Sequence, residues 1–374
     1  MATRIAATAA RQETDVTRAM PRNSSDAERT NRRAVAIWLL CCCALVFSMV
    51  VLGGTTRLTG SGLSMVDWEP VSGVLPPFSD KAWQAEFEHY QASPEFRRVN
   101  FWMKVGDFKR IYWLEFFHRL LGRLIGVVFF VPLLFFVFTR RVSRAMVPKL
   151  VTIFVLGGLQ GLLGWFMVKS GLVDEPHVSQ YRLAAHLGAA VIIYCYMWWV
   201  ALGLLWPSGR GGAGAGGGRK LYRFAGALVL AVFVTMLSGG FVAGLHAGLV
   251  YNTFPLMAGK WVPDGLYTLT PAYLNWFENA TTAQFNHRVL AISVLIAVAV
   301  LWWTAVRMKS GRPAMIWVHA AAAMALAQVA LGVSTLLLRV PIPLAVTHQG
   351  GAVVLITLLL GACFFLRREA VTNP

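Results

Sequence analysis

Residues 115–121 read Glu-Phe-Phe-His-Arg-Leu-Leu, and residues 284–290 read Gln-Phe-Asn-His-Arg-Val-Leu. The two stretches keep phenylalanine, histidine, arginine and the final leucine in the same places, as expected of two copies of one design. Each copy is followed by a second histidine, His186 after the first and His348 after the second. The glutamate that opens the first copy is a glutamine in the second. The chain therefore carries two histidine pairs, and a carboxylate accompanies only one of them.

The composition is typical of a membrane protein. Of the 374 residues, 57% are hydrophobic and 14% are charged, which is too little charge to cover a soluble domain of this length. Stretches without Asp, Glu, Lys or Arg recur, and most approach or exceed the roughly 20 residues that span the hydrocarbon core. We therefore expect an all-α polytopic membrane protein with eight transmembrane helices. They are predicted near residues 35–54, 114–138, 148–168, 183–206, 222–243, 283–306, 313–335 and 343–366.

The net charge of +17 does not indicate nucleic-acid binding, because the basic residues are sorted by loop. They concentrate between predicted helices 2 and 3, 4 and 5, and 6 and 7, whereas the long segment 55–113 balances them with acidic residues. The positive-inside rule then places both termini inside. We expect a multi-pass protein of a bacterial inner (plasma) membrane.

The glycine-rich run GGAGAGGG at residues 211–218 predicts a flexible linker between two four-helix halves. Two outer segments, 55–113 and 244–281, are expected to cap the bundle, the first with an amphipathic helix near 79–98. Because each half has an even number of spans, the halves form a parallel repeat with a pseudo-two-fold axis along the membrane normal. The predicted division is a disordered cytoplasmic arm at 1–33, an N-terminal half at 34–206, a cytoplasmic linker at 207–221, a C-terminal half at 222–367 and a tail at 368–374.

Further features recur in both halves. The glycine pairs at 53–54 and 239–240 are expected to end helices 1 and 5. A glutamine followed four residues later by a glycine occurs in helices 3 and 7, as Gln160 with Gly164 and Gln328 with Gly332.

The histidine pairs lie near the starts of predicted helices 2, 4, 6 and 8, at a similar depth near the outer membrane surface. Ionisable residues inside a membrane are costly, so they are functional candidates. A structural zinc site usually takes four Cys or His ligands at local spacings, which are lacking here. A haem iron needs only two axial ligands, and helix bundles supply them from facing helices. The pattern indicates two haem sites, with iron ligands His118 and His186 in one and His287 and His348 in the other.

Small residues flank the second histidine of each pair, and we expect them to leave room for a flat macrocycle. They are Ala184, Ala185, Gly188, Gly350 and Gly351.

Arg119 and Arg288 each follow a histidine directly, and guanidinium groups suit carboxylates such as haem propionates. The alternative is that these arginines reach the lipid head groups. Glu115 shares a helix face with His118, where it could shuttle protons or stabilise developing positive charge. The alternative is a structural pairing with Arg119 or with loop bases. Since its counterpart is the neutral Gln284, we interpret Glu115 as the catalytic residue of the site that does chemistry.

The remaining histidines are weaker candidates. We expect His319 to be packed or hydrogen-bonded within the bundle, and His89 and His177 to be solvated in the outer segments. His246 follows helix 5 and is a minor candidate for the second site.

Longer motifs resemble the haem A synthase family over about residues 35–367. The resemblance is closest to the class shared by α-proteobacteria and mitochondria, which lacks a cysteine pair in an outer loop. Here too, all five cysteines fall inside predicted helices, so we expect no disulfide on the outer face. The matching motifs are GGTTRLT at 53–59, SGLSM at 61–65, IYWLEFFHR at 111–119, GLLGW at 161–165, MVKSGL at 167–172, YNTFPLM at 251–257 and QFNHR at 284–288.

The resemblance implies oxidation of the C8 methyl of haem O to a formyl group by two successive hydroxylations and loss of water, giving haem A for cytochrome c oxidase. It implies that His118 and His186, with Glu115, hold the substrate haem O near the periplasmic face. His287 and His348 would ligate a haem b cofactor that delivers or relays electrons. A haem O synthase (a farnesyltransferase) would be a partner, the electron donor is unknown, and a homo-oligomer is possible.

Two other functions compete with this interpretation. A dihaem b-type membrane electron-transfer subunit would explain both histidine pairs but leaves Glu115 and the outer segments without a purpose. A transporter is suggested by the parallel repeat, yet the polar residues cluster at the outer boundary rather than at the membrane midplane.

Overall fold

The computed structural model of the protein describes residues 22–66, 72–171, 178–207 and 216–372. Within these ranges the regular structure is helical, apart from one isolated β-bridge. Eight helices are long and apolar enough to cross a membrane, which confirms the predicted fold class. They are α1 (Arg22–Leu58), α2 (Val105–Phe138), α3 (Val147–Gly171), α4 (Gln180–Leu205), α5 (Gly216–Gly244), α6 (Ala280–Arg307), α7 (Arg312–Leu337) and α8 (Ile342–Thr372).

The helices pack as two closed bundles of four. In the first bundle, α1, α2, α3 and α4 contact one another in sequence, and α4 returns to α1. In the second bundle, α5, α6, α7 and α8 do the same, and α8 returns to α5. As a result, α2 lies diagonally across from α4, and α6 lies diagonally across from α8. The bundles meet through α4 against α5, α1 against α8, and α4 against α8.

One continuous cluster of buried apolar side chains holds the two bundles together, with members from α1 to α8 such as Leu39, Met197 and Leu359. Lipid tails are as apolar as these side chains, so close packing and hydrogen bonds between helices stabilise the association. One such bond joins the hydroxyls of Tyr194 in α4 and Thr357 in α8 at 2.8 Å. The histidine pairs lie beyond this core, at the other end of the bundles.

Helix α1 begins earlier than predicted, so the expected disorder over residues 1–33 is wrong for residues 22–33. Hydropathy does not reveal this extension, because it is polar. An i,i+4 ion pair between Glu28 and Arg32, with N–O 3.3 Å, supports the added turns. Residues 1–21 lie outside the described part of the chain.

Helix α2 also begins earlier than predicted, at Val105. His118 therefore lies in the fourth turn of its helix, rather than in the first or second as expected. The added turns carry the buried Phe108 and Tyr112, which pack against the outer segment. Helix α5 likewise begins at Gly216, inside the predicted linker, and residues 208–215 are not among those described.

The first outer segment contains a helix at Asp80–Gln91, shorter than the predicted 79–98. It begins where the Ser79 side chain accepts a hydrogen bond from the Ala82 N–H, an N-cap. Pro94 follows its end closely, which favours the break. After this break, residues Phe96–Asn100 form a short π-helical turn.

The second outer segment has little regular structure. It consists of two 3₁₀ turns, Ala247–Leu249 and Ala272–Leu274, and a four-residue helix, Asn275–Glu278. The side chain of Asn275 is fully buried and bonds to the backbone of Leu269 and Ala272.

Candidate functional site

The structure brings the histidines together in the predicted pairs. His287 on α6 and His348 on α8 have ring centroids 6.5 Å apart, with the ring planes at 90°. His118 on α2 and His186 on α4 are near enough to interact electrostatically. Each pair therefore comes from the two diagonal helices of one bundle.

Each histidine ring lies against a glycine of a neighbouring helix. A Cβ atom added at these glycines would lie only 2.8–3.1 Å from a ring atom, closer than real Cβ atoms normally approach. A side chain at any of the four would displace the histidine. The contacts are His118 with Gly53, His186 with Gly164, His287 with Gly239, and His348 with Gly332.

Gly53 and Gly239 do not end helices, since α1 continues to Leu58 and α5 to Gly244. The prediction that the glycine pairs terminate helices 1 and 5 is therefore wrong. Their absent side chains instead admit a histidine ring from the next helix. The sequence signal was their recurrence in both halves, but recurrence alone does not reveal which helix they face.

The small residues beside the second histidines have a different role from the predicted one. The space above Gly188 is filled by Leu237 of α5, and the space above Gly350 by Phe47 of α1. Gly351 lies against Gln328 of α7. These glycines allow helices to approach, so the prediction that they make room for a macrocycle is wrong for them.

Polar side chains hold the histidines in different ways. The Ser238 hydroxyl lies 2.8 Å from Nδ1 of His287. The Gln160 amide nitrogen lies 3.1 Å from Nδ1 of His186 and donates to the carbonyl of the same residue at 2.8 Å. Gln328 donates to the carbonyl of His348 at 2.6 Å, and Nδ1 of His348 is buried without a hydrogen-bond partner among the described residues.

Glu115 is buried, with 2% of its surface exposed. One carboxylate oxygen accepts hydrogen bonds from the Ser64 hydroxyl at 2.7 Å and the Met65 N–H at 2.8 Å. The other accepts from Nε and Nη2 of Arg119 at 3.0 and 2.5 Å. Arg119 also donates to the Met65 carbonyl at 2.7 Å. The ion pair with Arg119, considered above as the structural alternative, is therefore present.

The equivalent pair in the second bundle holds the second outer segment. Gln284 donates to the carbonyl of Tyr251 at 3.1 Å, and Arg288 donates to the same carbonyl at 2.9 Å. Arg288 also donates to the carbonyl of Thr253 at 2.8 Å. Its buried Nε has no hydrogen-bond partner among the described residues, which leaves a donor for a carboxylate ligand.

Arg57, which sequence reasoning did not single out, connects the two bundles at this end. It lies on α1 and donates to the carbonyl of Ala243 on α5 at 3.2 Å. Its guanidinium also lies 3.3 Å from Nε2 of His246. No motif spacing reveals this contact, because it joins residues of different halves.

The other histidines are away from the pairs. Nδ1 of His319 accepts a hydrogen bond from the Trp302 indole at 2.9 Å, which confirms its prediction as a hydrogen-bonded bundle residue. His89 is exposed as expected, and His177 lies outside the described residues.

The second pair fits two axial ligands of one haem iron. Two metal–nitrogen bonds of about 2 Å each, with about 1 Å from each nitrogen to its ring centre, place two axial imidazoles about 6 Å apart. The observed separation of 6.5 Å agrees. Across the described residues there is no group of three or more His, Cys, Asp or Glu side chains that could hold a metal ion. A two-ligand site is therefore the arrangement to which these histidines are suited.

The fold and the site define a polytopic, all-helical membrane protein that presents one histidine pair in each of two four-helix bundles. The chain belongs to the family COX15-CtaA, described as "Cytochrome oxidase assembly protein", whose model matches residues 36–360. The family predicted from the motifs is confirmed.

Proteins similar to this chain occur in bacteria and in eukaryotes. It is 51% identical over 338 residues to "Heme A synthase" of Nitrosospira multiformis, covering 90% of this chain and 95% of that protein. It is 49% identical over 336 residues to "Heme A synthase" of Parvibaculum lavamentivorans, covering 90% and 95%. It is 46% identical over 342 residues to "Heme A synthase COX15" of Homo sapiens, covering 90% and 83%.

Proposed function

We propose that this protein is a haem A synthase, an oxidoreductase that converts the C8 methyl group of haem O to a formyl group by two successive hydroxylations. Its product, haem A, would serve cytochrome c oxidase. The observation that carries the proposal is the pair of glycine-backed histidine sites, in a chain about half identical to proteins of that name.

We propose that the first bundle is the reaction site, with His118 and His186 as the axial ligands of substrate haem O. The support is the buried carboxylate of Glu115, which lies on the same helix as His118 and has only a neutral amide as its counterpart. Arg119 would lie near a propionate at the outer boundary, as Arg288 would in the second bundle. The spare Nε donor of Arg288 supports this role.

Of the two roles considered for Glu115, its contacts favour charge stabilisation. Both carboxylate oxygens accept hydrogen bonds, and the guanidinium of Arg119 is paired with one of them. Such contacts suit a carboxylate anion, which has only acceptors. A fixed anion beside the substrate would stabilise positive charge that develops on it during oxidation, without having to reorganise.

We propose that the second bundle holds haem b through His287 and His348. When bound, haem b would supply one-electron transfer to or from the first bundle. The contributions of the chain are to hold the iron from two diagonal helices, to offer Arg288 to a propionate and to cover the site with the second outer segment.

We propose that the halves form a parallel repeat with both termini in the cytoplasm and the histidine sites near the periplasmic face of a bacterial inner membrane. The support is the matching set of contacts in the two bundles and the concentration of basic residues in the loops at the other end. A haem O synthase would supply the substrate and cytochrome c oxidase would receive the product. Co-purification from membranes would identify the electron donor and any self-association.

The test is haem extraction and chromatography from cells that make haem O and express the full chain. Wild type is expected to yield haem A, His118→Ala and His186→Ala to accumulate haem O while keeping haem b, and His287→Ala to lose haem b. A wild-type protein that binds only haem b and never yields formyl-haem would overturn the proposal and favour an electron-transfer subunit.

A further inference from the structure

The contacts of Ser238 favour the tautomer of His287 that carries its proton on Nδ1. The Ser238 hydroxyl donates to the carbonyl of Thr235 at 2.8 Å, and a hydroxyl has only one proton to donate. With its proton used in this way, its oxygen is placed to accept from Nδ1 of His287, which lies 2.8 Å away. A neutral imidazole with its proton on Nδ1 has its lone pair on Nε2, free to bind a metal.

Gln160 holds His186 in the opposite way. The Gln160 atom that lies 2.8 Å from the His186 carbonyl must be the amide nitrogen, because an amide oxygen there would face another acceptor. The same nitrogen lies 3.1 Å from Nδ1 of His186 and can only donate to it. A neutral His186 that accepts this bond has its proton on Nε2, so binding iron through Nε2 would place the proton on Nδ1 and break the bond from Gln160.

The two bundles do not share these contacts. The residue before Gly239 is Ser238, but the residue before Gly53 is Leu52, which has no hydroxyl. Within the described part of the chain, the ring of His118 makes no hydrogen bond. In the second bundle, Gln328 donates to the backbone carbonyl of His348. The partner of the histidine ring is thus an acceptor in one bundle and a donor in the other.

We propose that Ser238 and Gln160 set how firmly each bundle holds its haem. Ser238 orients His287 as a permanent ligand that retains haem b. Gln160 makes His186 an exchangeable ligand, which lets substrate haem enter the first bundle and product haem leave it. The proposal rests on the proposed function and assigns to these side chains a positioning role, since each acts through a histidine.

The first test compares Ser238→Ala with Ser238→Thr in the purified full-length protein. Ser238→Ala removes the hydroxyl acceptor beside Nδ1 of His287, and losing such an outer-shell partner typically costs about 10–100-fold in metal affinity. We expect haem b to transfer to excess apomyoglobin about 10-fold faster or more. Its midpoint potential should become more positive, because the ligand is less basic. Ser238→Thr keeps a hydroxyl and should restore both values.

The second test compares Gln160→Met with Gln328→Met, the same substitution at matched positions of α3 and α7. Without its donor, His186 can keep the proton on Nδ1 and bind iron without losing a hydrogen bond. We expect Gln160→Met to co-purify with more haem A per chain than wild type when haem O is supplied. Gln328→Met should not show this increase, because Gln328 bonds to the backbone carbonyl of His348 and not to its ring. Unchanged haem A retention in Gln160→Met would overturn its part of the proposal.

Failure of the roles of Ser238 and Gln160 can be distinguished from failure of the proposed function. A wild-type protein without low-spin haem b, or without haem A production, defeats the proposed function. A wild type that has both, together with a Ser238→Ala variant of unchanged haem b transfer rate and potential, defeats the role of Ser238 alone.

Discussion

The two bundles hold their outer segments with the same pair of positions, but the hydrogen bond at the first position runs in opposite directions in the two bundles. In the first, Glu115 accepts the N–H of Met65, and Arg119 donates to the carbonyl of that residue. In the second, Gln284 and Arg288 both donate to the carbonyl of Tyr251. The first outer segment presents the N–H of Met65, and position 115 is a glutamate, which accepts. The second presents the carbonyl of Tyr251, and position 284 is a glutamine, which donates.

The exchange of Glu115 in the first bundle for Gln284 in the second is therefore not by itself evidence of catalysis. A carboxylate cannot donate to the carbonyl of Tyr251, and a glutamine has one acceptor oxygen where Glu115 uses two, for Met65 and for Arg119. Part of the difference between Glu115 and Gln284 is therefore structural. Its functional part has to be measured with variants that separate charge from loop anchoring.

The largest effect is expected from Glu115→Ala, which leaves a buried Arg119 without its carboxylate. Breaking a buried ion pair by removing one partner costs about 3–5 kcal/mol, so the variant should unfold at a clearly lower temperature in detergent and make no haem A. Gln284→Ala is the matched control. It removes one neutral hydrogen bond to a carbonyl that Arg288 still contacts, and should cost about 1 kcal/mol. Equal losses in the two variants would show that the two anchors are equivalent.

Glu115→Gln removes the charge and keeps one of the two acceptor oxygens. Glutamine has nearly the same shape, and its oxygen can accept either from Arg119 or from Ser64 and Met65, so the variant should fold with part of the anchoring kept. If the anion stabilises charge on the substrate, haem A formation should fall by about 100-fold, the scale of losing one electrostatic contact to a transition state. The measurement is haem A produced per folded chain. Wild-type production in this variant would show that the negative charge of Glu115 is not required for the reaction.

The features predicted correctly from the sequence are those that depend on residues close together in the chain. Each membrane span is an apolar run, and the histidine pairs appear in repeated motifs, so both could be located without a structure. The early starts of α1 and α2 were missed because their added turns are polar or interact with the outer segment. Hydropathy therefore contains no signal for them.

Contacts between helices could not be predicted from the sequence. Gly164 and Gly332 were visible as repeated residues, but their roles depend on which helix is adjacent to His186 and His348. Ser238 was overlooked because it has no counterpart at Leu52, and a search for repeats discards such positions. Arg57 was missed because its partners, Ala243 and His246, belong to the other half.

Replacing a glycine that faces a histidine should have a smaller effect, confined to the haem site of that histidine. A Cβ at Gly332 would lie 2.8 Å from Cε1 of His348, and one at Gly164 would lie 2.9 Å from Cε1 of His186. Each ring must then move, and a misplacement of about 1 Å is enough to cost a site much of its function. We expect Gly332→Ala to lower haem b content, and Gly164→Ala to lower haem A production while haem b content stays at the wild-type level.

Gly161→Ala is the control for these variants, because it lies on α3 close to Gly164 and its Cβ would meet no atom within 4 Å among the described residues. Replacing an unencumbered helix glycine by alanine is neutral or slightly stabilising. Haem content measured for all three variants tests the comparison. Loss of haem b in Gly164→Ala would show that the two sites are not independent.

The smallest expected effect is on the pH dependence of stability, which should differ between the two outer segments. The first contains the buried acid Glu95, which accepts a hydrogen bond from the Tyr90 hydroxyl at 3.1 Å, whereas the second is anchored by the neutral Asn275. Burial raises the pKa of Glu95 to about 7 from an ordinary value of 4.5, the negative charge of Glu115 adds to the shift, and the bond from Tyr90 opposes it.

Because the folded protein binds this proton more tightly than the unfolded chain, the contribution of Glu95 to stability is greatest below pH 4.5 and is lost as the pH rises through about 7. Glu95→Gln stays neutral, so its unfolding temperature in detergent should fall less than that of wild type between pH 5 and pH 8. Glu88→Gln, an exposed site on the helix Asp80–Gln91 of the same outer segment, should follow wild type. Parallel curves for wild type and Glu95→Gln would mean that Glu95 is already ionised at pH 5, and that the two outer segments respond alike to pH.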